Sequence, residues 1–172
     1  DTAIVLWRIY LLLTAAEIVL LLLAGLDLYD AMTHTFSTLS TGGFSPRNAS
    51  VAAFDSPWIH LTIIGFMIIA ATNFSLFFRL RRRRGWNLYR DPEFRLYVHI
   101  LGAATVLVIW DLLRAGTYRD PLRAALDSTF QVVSIVTTTG FGTADFEQWA
   151  PSSQFVLFSL MFIGACAGST AG

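Results

Sequence analysis

The chain has 172 residues, of which 55% are hydrophobic and only 14% are charged, and its mean hydropathy is +0.58. These values exclude an ordinary soluble domain of this size and indicate a membrane protein. All 12 basic residues are arginine and they are balanced by 12 acids, so no excess of positive charge points to a nucleic-acid partner.

Four apolar stretches are candidate membrane spans. Residues 4–24, 58–78 and 94–113 each supply the roughly 20 helical residues that cross a hydrocarbon core of about 30 Å. The fourth stretch, residues 153–172, is expected to be a truncated span. The predicted fold is therefore an all-α membrane protein.

A shorter segment of intermediate polarity follows the first span and the third span. Residues 30–39 and 122–137 are compatible with helices but too short to cross a bilayer, so we interpret them as re-entrant pore helices. The chain then divides into two similar units, residues 1–84 and 93–172, joined by a cytoplasmic linker at residues 85–92.

The arginines indicate which side of the membrane is cytoplasmic. Short arginine-rich loops are retained in the cytoplasm, so an arginine cluster between the second and third spans places both pore helices on the outer side. The same cluster is compatible with contact to lipid headgroups. Its members are Arg79, Arg81, Arg82, Arg83, Arg84, Arg90 and Arg95.

Each predicted pore helix leads into a loop of hydroxyl residues and glycine, at residues 37–45 (STLSTGGFS) and 134–143 (SIVTTTGFGT). A dehydrated cation needs several oxygen ligands, and consecutive backbone carbonyls supply them where glycine permits the required dihedral angles. The negative C-terminal end of each short helix favours a cation nearby. One such match would equally fit an ordinary glycine turn, but its recurrence between paired spans favours a pore loop.

The two loops indicate an internal repeat. Aligning Ser40, Thr41 and Gly42 with Thr138, Thr139 and Gly140 gives a period of about 98 residues. Each unit crosses the membrane twice, so successive units enter in the same orientation and are related by an axis along the membrane normal. Units arranged in this way surround a pore.

These residues carry a resemblance to a known family. Residues 30–45, followed by Phe54–Pro57, resemble the second repeat of the Trk/Ktr/HKT potassium transporter superfamily, closest to its bacterial Trk branch. Residues 130–145 and 161–172 resemble the third repeat, and the linker Asp91–Arg95 is also similar. The likeness covers essentially the whole chain, which is expected to be a fragment with the second repeat and most of the third.

The resemblance implies four repeats around one potassium pathway, with Gly42 and Gly140 as two of four filter glycines. It places Gly43 where potassium channels have an aromatic residue and Phe44 where they have a second glycine. The implied ion-binding residues are Ser40, Thr41, Gly42, Gly43, Thr138, Thr139, Gly140 and Phe141.

The resemblance also implies a gate in the small-residue segment of the last span. The implied gate residues are Gly164, Gly168, Ser169, Thr170 and Gly172. The glycines recur there at four-residue spacing, which is equally typical of close helix packing in membranes.

The implied function is potassium uptake across the inner membrane of a bacterium, by a homodimer with a cytoplasmic nucleotide-binding regulatory ring. Potassium would be the transported substrate, and no cofactor is expected. No nucleophile–base pair or phosphate loop stands out, so we do not expect an enzyme. Two alternatives stay open: a sodium-conducting or sodium-coupled relative, and a membrane scaffold whose loops no longer conduct.

Overall fold

The computed structural model describes residues 2–74, 76 and 91–171. Across these residues it contains helices and irregular loops and no strand, which confirms the predicted fold class. Six α-helices lie wholly within the described residues: α1 Thr2–Leu23, α2 Leu28–Leu39, α3 Pro57–Ala70, α4 Pro92–Arg114, α5 Pro121–Val136 and α6 Pro151–Leu160. Single 3₁₀ turns at Ser50–Ala53 and Phe146–Gln148 follow the two loops.

Two helices of the described part, α1 and α4, are long and apolar enough to cross a membrane. The start of α4 is fixed by Asp91, whose carboxylate accepts hydrogen bonds from the backbone N–H groups of Glu93 and Phe94. Both helices expose large apolar side chains such as Leu12 and Val106. A lipid environment accommodates such surfaces without a hydrophobic cost.

The short helices α2 and α5 have 12 and 16 residues and cannot cross a bilayer. Asp27 caps the first and Asp120 caps the second, each by accepting a backbone N–H bond. Their observed bounds differ by one or two residues from the predicted 30–39 and 122–137.

The helix that begins the second span of each unit ends inside the predicted span. Helix α3 ends at Ala70, within the predicted 58–78, and α6 ends at Leu160, within the predicted 153–172. Residues 77, 78 and 172 lie outside the described residues. The two breaks lie against each other, because Thr170 donates its N–H to the Ala70 carbonyl and Phe74 donates its N–H to the Gly168 carbonyl. Backbone groups that would have continued one helix therefore pair with the other segment.

The two units share one core. Within each unit the first span packs on the pore helix, α1 on α2 and α4 on α5, and helix α5 also packs on α3 of the first unit. Buried apolar side chains at this contact belong to both units, among them Val51, Ile63, Met67, Phe130 and Val133. The contact brings the two loops together.

The arginine cluster that indicated the cytoplasmic side lies largely outside the described residues. The cluster members outside the described residues are Arg79, Arg81 to Arg84 and Arg90. Residues 85–90 of the predicted linker also lie outside them. The orientation in the membrane therefore stays a prediction.

Candidate ion-conducting site

The first loop turns sharply at the end of α2. Both Gly42 and Gly43 direct their backbone N–H groups to the carbonyl of Ser37, at 2.8 and 3.5 Å. This turn requires left-handed backbone at Thr41, with φ of +52°, and at Gly43, with φ of +66°. A β-branched residue rarely adopts such a conformation, which costs about 1–3 kcal/mol and persists only where its surroundings enforce it.

The second loop repeats this trace at the end of α5. Thr139 and Gly140 direct their N–H groups to the carbonyl of Ser134, at 3.0 and 3.2 Å. Thr138 has φ of +58° and Gly140 has φ of +88°. The same strained turn therefore occurs at the end of both pore helices.

The shared backbone corrects the alignment of the two loops. Thr41 corresponds to Thr138 and Gly43 corresponds to Gly140, so the period is 97 residues, as between Ser37 and Ser134. The predicted match of Gly42 with Gly140 is wrong. It was drawn from like triplets in the sequence, whereas the left-handed residues fix the register.

The same correction applies to the aromatic residues. Phe44 corresponds to Phe141, so each loop has glycine followed by phenylalanine. The expectation that Gly43 takes the place of an aromatic residue in the first loop, with Phe44 in the place of a second glycine, is therefore also wrong.

Four backbone carbonyls of the two loops accept no hydrogen bond from any described residue. They belong to Gly42, Gly43, Thr139 and Gly140. Gly42, Gly140, Ser40 and Thr138 lie on the exposed side of the pair. Carbonyls without protein partners are the ligands that replace the hydration shell of a cation in a filter.

The two loops are in direct contact. A Cβ atom at Gly43 would overlap the carbonyl of Thr139. Beyond the glycines, Gly142 accepts the N–H of Ala52 at 3.0 Å and donates its own N–H to Ser50 Oγ at 3.2 Å. Backbone contacts of this kind hold the loops at a fixed spacing.

Some of the predicted ion-binding residues, among them Thr41, Thr139 and Phe141, also have protein partners. Thr41 Oγ1 donates to a carbonyl at 2.7 or 2.9 Å, and a hydroxyl that donates its proton keeps lone pairs for a cation. The carbonyl of Phe141 accepts a bond of 2.6 Å from Ser134 Oγ, and its ring is buried. The contacts of Phe141 are those of a residue that supports the loop.

A polar side chain on each pore helix supports the chain that leaves the filter. His34 Nε2 lies 2.9 Å from Ser45 Oγ, and Gln131, at the equivalent position, donates to the carbonyl of Ala144 at 2.9 Å. His34 Nδ1 lies 2.8 Å from the carbonyl of Asp30 and so carries the proton. Sequence reasoning missed this role of His34, and the polar residue at the repeated position Gln131 was the available signal for it.

Each pore helix carries a buried aspartate that pairs with an arginine. Asp30 pairs with Arg47 at 2.5 Å, and the equivalent Asp127 pairs with Arg123 at 3.0 Å. Tyr118 donates to Asp127 at 3.0 Å, and burial together with the Asp127 charge raises the pKa of Tyr118 to about 12. The phenol is therefore neutral at physiological pH and serves as a donor.

The predicted gate segment is an irregular loop that touches the first filter loop. Thr41 Oγ1 donates to the carbonyl of Thr170 at 2.9 Å, and Thr170 Oγ1 donates to the carbonyl of Ala70 at 2.9 Å. Ser169 Oγ donates within the loop to Cys166, and Gly168 has φ of +73°. Gly164 begins this segment, whereas Gly172 lies outside the described residues.

The comparison with protein families decides the identity of this arrangement. The model of the family TrkH, cation transport protein, matches residues 1–172. The chain belongs to the TrkH family. This confirms the resemblance seen in the sequence, and it agrees with the two membrane-length helices of the described part.

Relatives within the family are close over the whole chain. The chain is 40% identical over 173 residues to the Trk system potassium uptake protein TrkH of Escherichia coli K12 and 34% identical to TrkG of the same strain, covering 36% of each. The crystal structure of the potassium transporter TrkH from Vibrio parahaemolyticus matches with a TM-score of 0.94 and 41% identity, over 99% of this chain and 37% of that one. The chain thus spans little more than a third of the length of these relatives.

Proposed function

We propose that the protein takes up potassium across the inner membrane of a bacterium, and that the two loops form half of its selectivity filter. One observation carries the proposal: the strained turn at Thr41 and Gly43 recurs at Thr138 and Gly140. Because a strained backbone conformation costs free energy, its recurrence in both loops supports a common function for them. The names of the relatives, potassium uptake proteins, indicate which task.

The carbonyls of Gly42, Gly43, Thr139 and Gly140 would coordinate the ion, and the hydroxyls of Ser40, Thr41, Thr138 and Thr139 would add oxygens beside them. Helices α2 and α5 end directly before the two loops, so their negative dipole ends lie next to these carbonyls and favour a cation there. Two loops can coordinate an ion on only part of its surface. We therefore propose that two further units of the same build complete the ring in the full-length protein, in line with the share of the relatives that the chain covers.

The loop from Gly164 to Gly172 would be the gate. Irregular backbone at membrane depth is tolerated where it lines protein or a water-filled pathway, and this loop contacts the first filter loop at Thr41. The proposed assembly is a homodimer of the full-length protein with a cytoplasmic nucleotide-binding ring, and the proposed activity requires neither a cofactor nor an enzymatic step.

The proposal is tested by reconstituting the full-length protein in liposomes and measuring rubidium, potassium and sodium flux. Flux of potassium and rubidium well above that of sodium supports it. A preference for sodium would favour the sodium-conducting alternative. Folded protein that passes neither ion would favour the scaffold.

A further inference from the structure

The predicted gate loop follows the end of α6, and its backbone N–H groups need partners outside a regular helix. On one side, Thr170 donates its N–H to the carbonyl of Ala70 at the end of α3. On the other side, Ala167 donates its N–H to the carboxylate of Glu93, with 2.6 Å between nitrogen and Oε1. A charged side chain therefore holds the backbone of the gate loop.

Glu93 reaches the gate loop from the first turn of α4. Asp91 caps this helix by accepting the N–H groups of Glu93 and Phe94, so the backbone that carries the carboxylate is fixed. The side chain is half-buried and bonds to a residue 74 positions later in the chain. A hydrogen bond from an N–H group to a carboxylate is about twice as strong as one between neutral groups.

The face of α4 that carries Glu93 also packs toward the gate loop. Tyr97 lies four residues after Glu93, so the two side chains lie on the same face of the helix. Tyr97 and Cys166, the neighbour of Ala167, belong to one buried cluster. Helix α4 packs on α6 as well, which leads into the loop. The gate loop is therefore held between α4 and the end of α3.

We propose that Glu93 is a latch that keeps the gate loop in its position between the two units. Glu93 belongs to the second unit and Ala70 to the first, so each unit holds the loop by one contact. Glu93 is a positioning residue, because it acts through the backbone of Ala167. The inference rests on the gate proposed above and specifies which side chain restrains it.

The first test is ion flux through the full-length protein in liposomes. Glu93→Ala removes the acceptor, so we expect potassium flux to rise about tenfold with the preference for potassium over sodium unchanged. Glu93→Gln keeps an acceptor oxygen without the charge and should raise flux only about two- to threefold. Glu147→Ala, which removes an exposed carboxylate, is the matched control and should leave flux unchanged.

Two results of the flux measurement would overturn the latch. An equal rise in Glu93→Ala and Glu93→Gln would show that the charge matters and the hydrogen bond does not. A changed preference between potassium and sodium would place the effect of Glu93 at the filter.

The second test requires no ion flux and uses Cys166, which is 4% exposed. In full-length protein with Cys166 as its single cysteine, a small water-soluble maleimide should alkylate the thiol slowly. We expect a similar rate in Glu93→Gln and an about tenfold faster rate in Glu93→Ala. An unchanged rate in Glu93→Ala would overturn the latch whatever the flux shows. Faster alkylation without a change in flux would support the latch and contradict the gate.

A shorter acidic side chain keeps the test decisive if Glu93→Ala does not fold. Glu93→Asp preserves the charge in the first turn of α4 but is one methylene too short for the bond to Ala167. Alkylation of Cys166 should then be faster than in the unchanged protein. An equal rate would overturn the proposal.

Discussion

At the scale of single residues, both loops of the proposed filter have left-handed backbone at a threonine. Thr41 and Thr138 accept strain that a glycine would avoid, and each is followed two positions later by a glycine of positive φ. In each loop this conformation directs two backbone N–H groups to one carbonyl, that of Ser37 in the first loop and that of Ser134 in the second. The carbonyls that follow accept no hydrogen bond from the described residues.

Gly43 is the residue at which added volume is tolerated least. Gly43→Ala places a methyl group into the carbonyl of Thr139 and strains a φ of +66°, so we expect potassium uptake to fall by about tenfold or more. Uptake by cells that lack other potassium transporters measures the effect. Gly102→Ala on α4 is the matched control, because a Cβ there meets open space; an equal loss in both variants, or none in the first, would contradict the role of Gly43.

Arg123 links the two units near the start of α5, through Asp127 at 3.0 Å and Asp55 at 3.1 Å. Arg123→Ala leaves the Asp127 carboxylate, only 3% exposed, with the hydroxyl of Tyr118 as a hydrogen-bond donor. Because Arg123 is 38% exposed, solvent screens part of the pair and we expect a loss of about 1–2 kcal/mol. Thermal unfolding in detergent measures this loss of stability. Arg119→Ala, at an exposed neighbouring arginine, is the control. Equal melting temperatures of the two variants would contradict the role of Arg123 in joining the units.

Part of the candidate site could be predicted from its residues alone. Hydroxyls, glycines and their recurrence identified both loops, because those residue types are visible in the letters. The predicted alignment of the two loops was wrong by one residue, because the triplets Ser-Thr-Gly and Thr-Thr-Gly are similar in sequence. Backbone conformation at Thr41 and Thr138 decides the register, and β-branched residues give no signal for left-handed φ.

At the scale of elements, the breaks in α3 and α6 form one structure. Their lengths could not be predicted, because the partners of Ala70 and Ala71 are Thr170 and Cys166, about 100 residues away. Local hydropathy favours continuation of both helices, and the long-range backbone bonds override it.

Thr170 fastens the predicted gate loop to the end of α3. Thr170→Val removes the hydroxyl bond to Ala70, worth about 0.5–1.5 kcal/mol, so we expect potassium flux to rise about two- to tenfold without a change in selectivity. Thr62→Val is the control, because Thr62 bonds only to the carbonyl of Trp58 within its own helix. Flux at the original level, or an altered preference for potassium over sodium, would count against the gate.

At the scale of the whole molecule, we propose that the chain supplies half of a ring of units. The core between α3 and α5 fixes two filter loops at backbone contact, and the other sides of these loops are exposed at Gly42 and Gly140. We expect monomers of the 172-residue chain in planar bilayers to carry no potassium current, since two loops cannot enclose a dehydrated ion. A single-file potassium current from monomers would contradict this expectation.

We propose that the backbone carbonyls of the two loops select potassium, and Gly140→Ser in the full-length protein tests this role. A Cβ at Gly140 meets open space, so the main change is strain at a φ of +88°. Potassium and sodium flux in liposomes should show the preference for potassium falling by about tenfold, the equivalent of about 1.4 kcal/mol of strain, with flux retained. Gly102→Ser should leave the preference as it is. A potassium preference that survives Gly140→Ser unchanged would contradict the account.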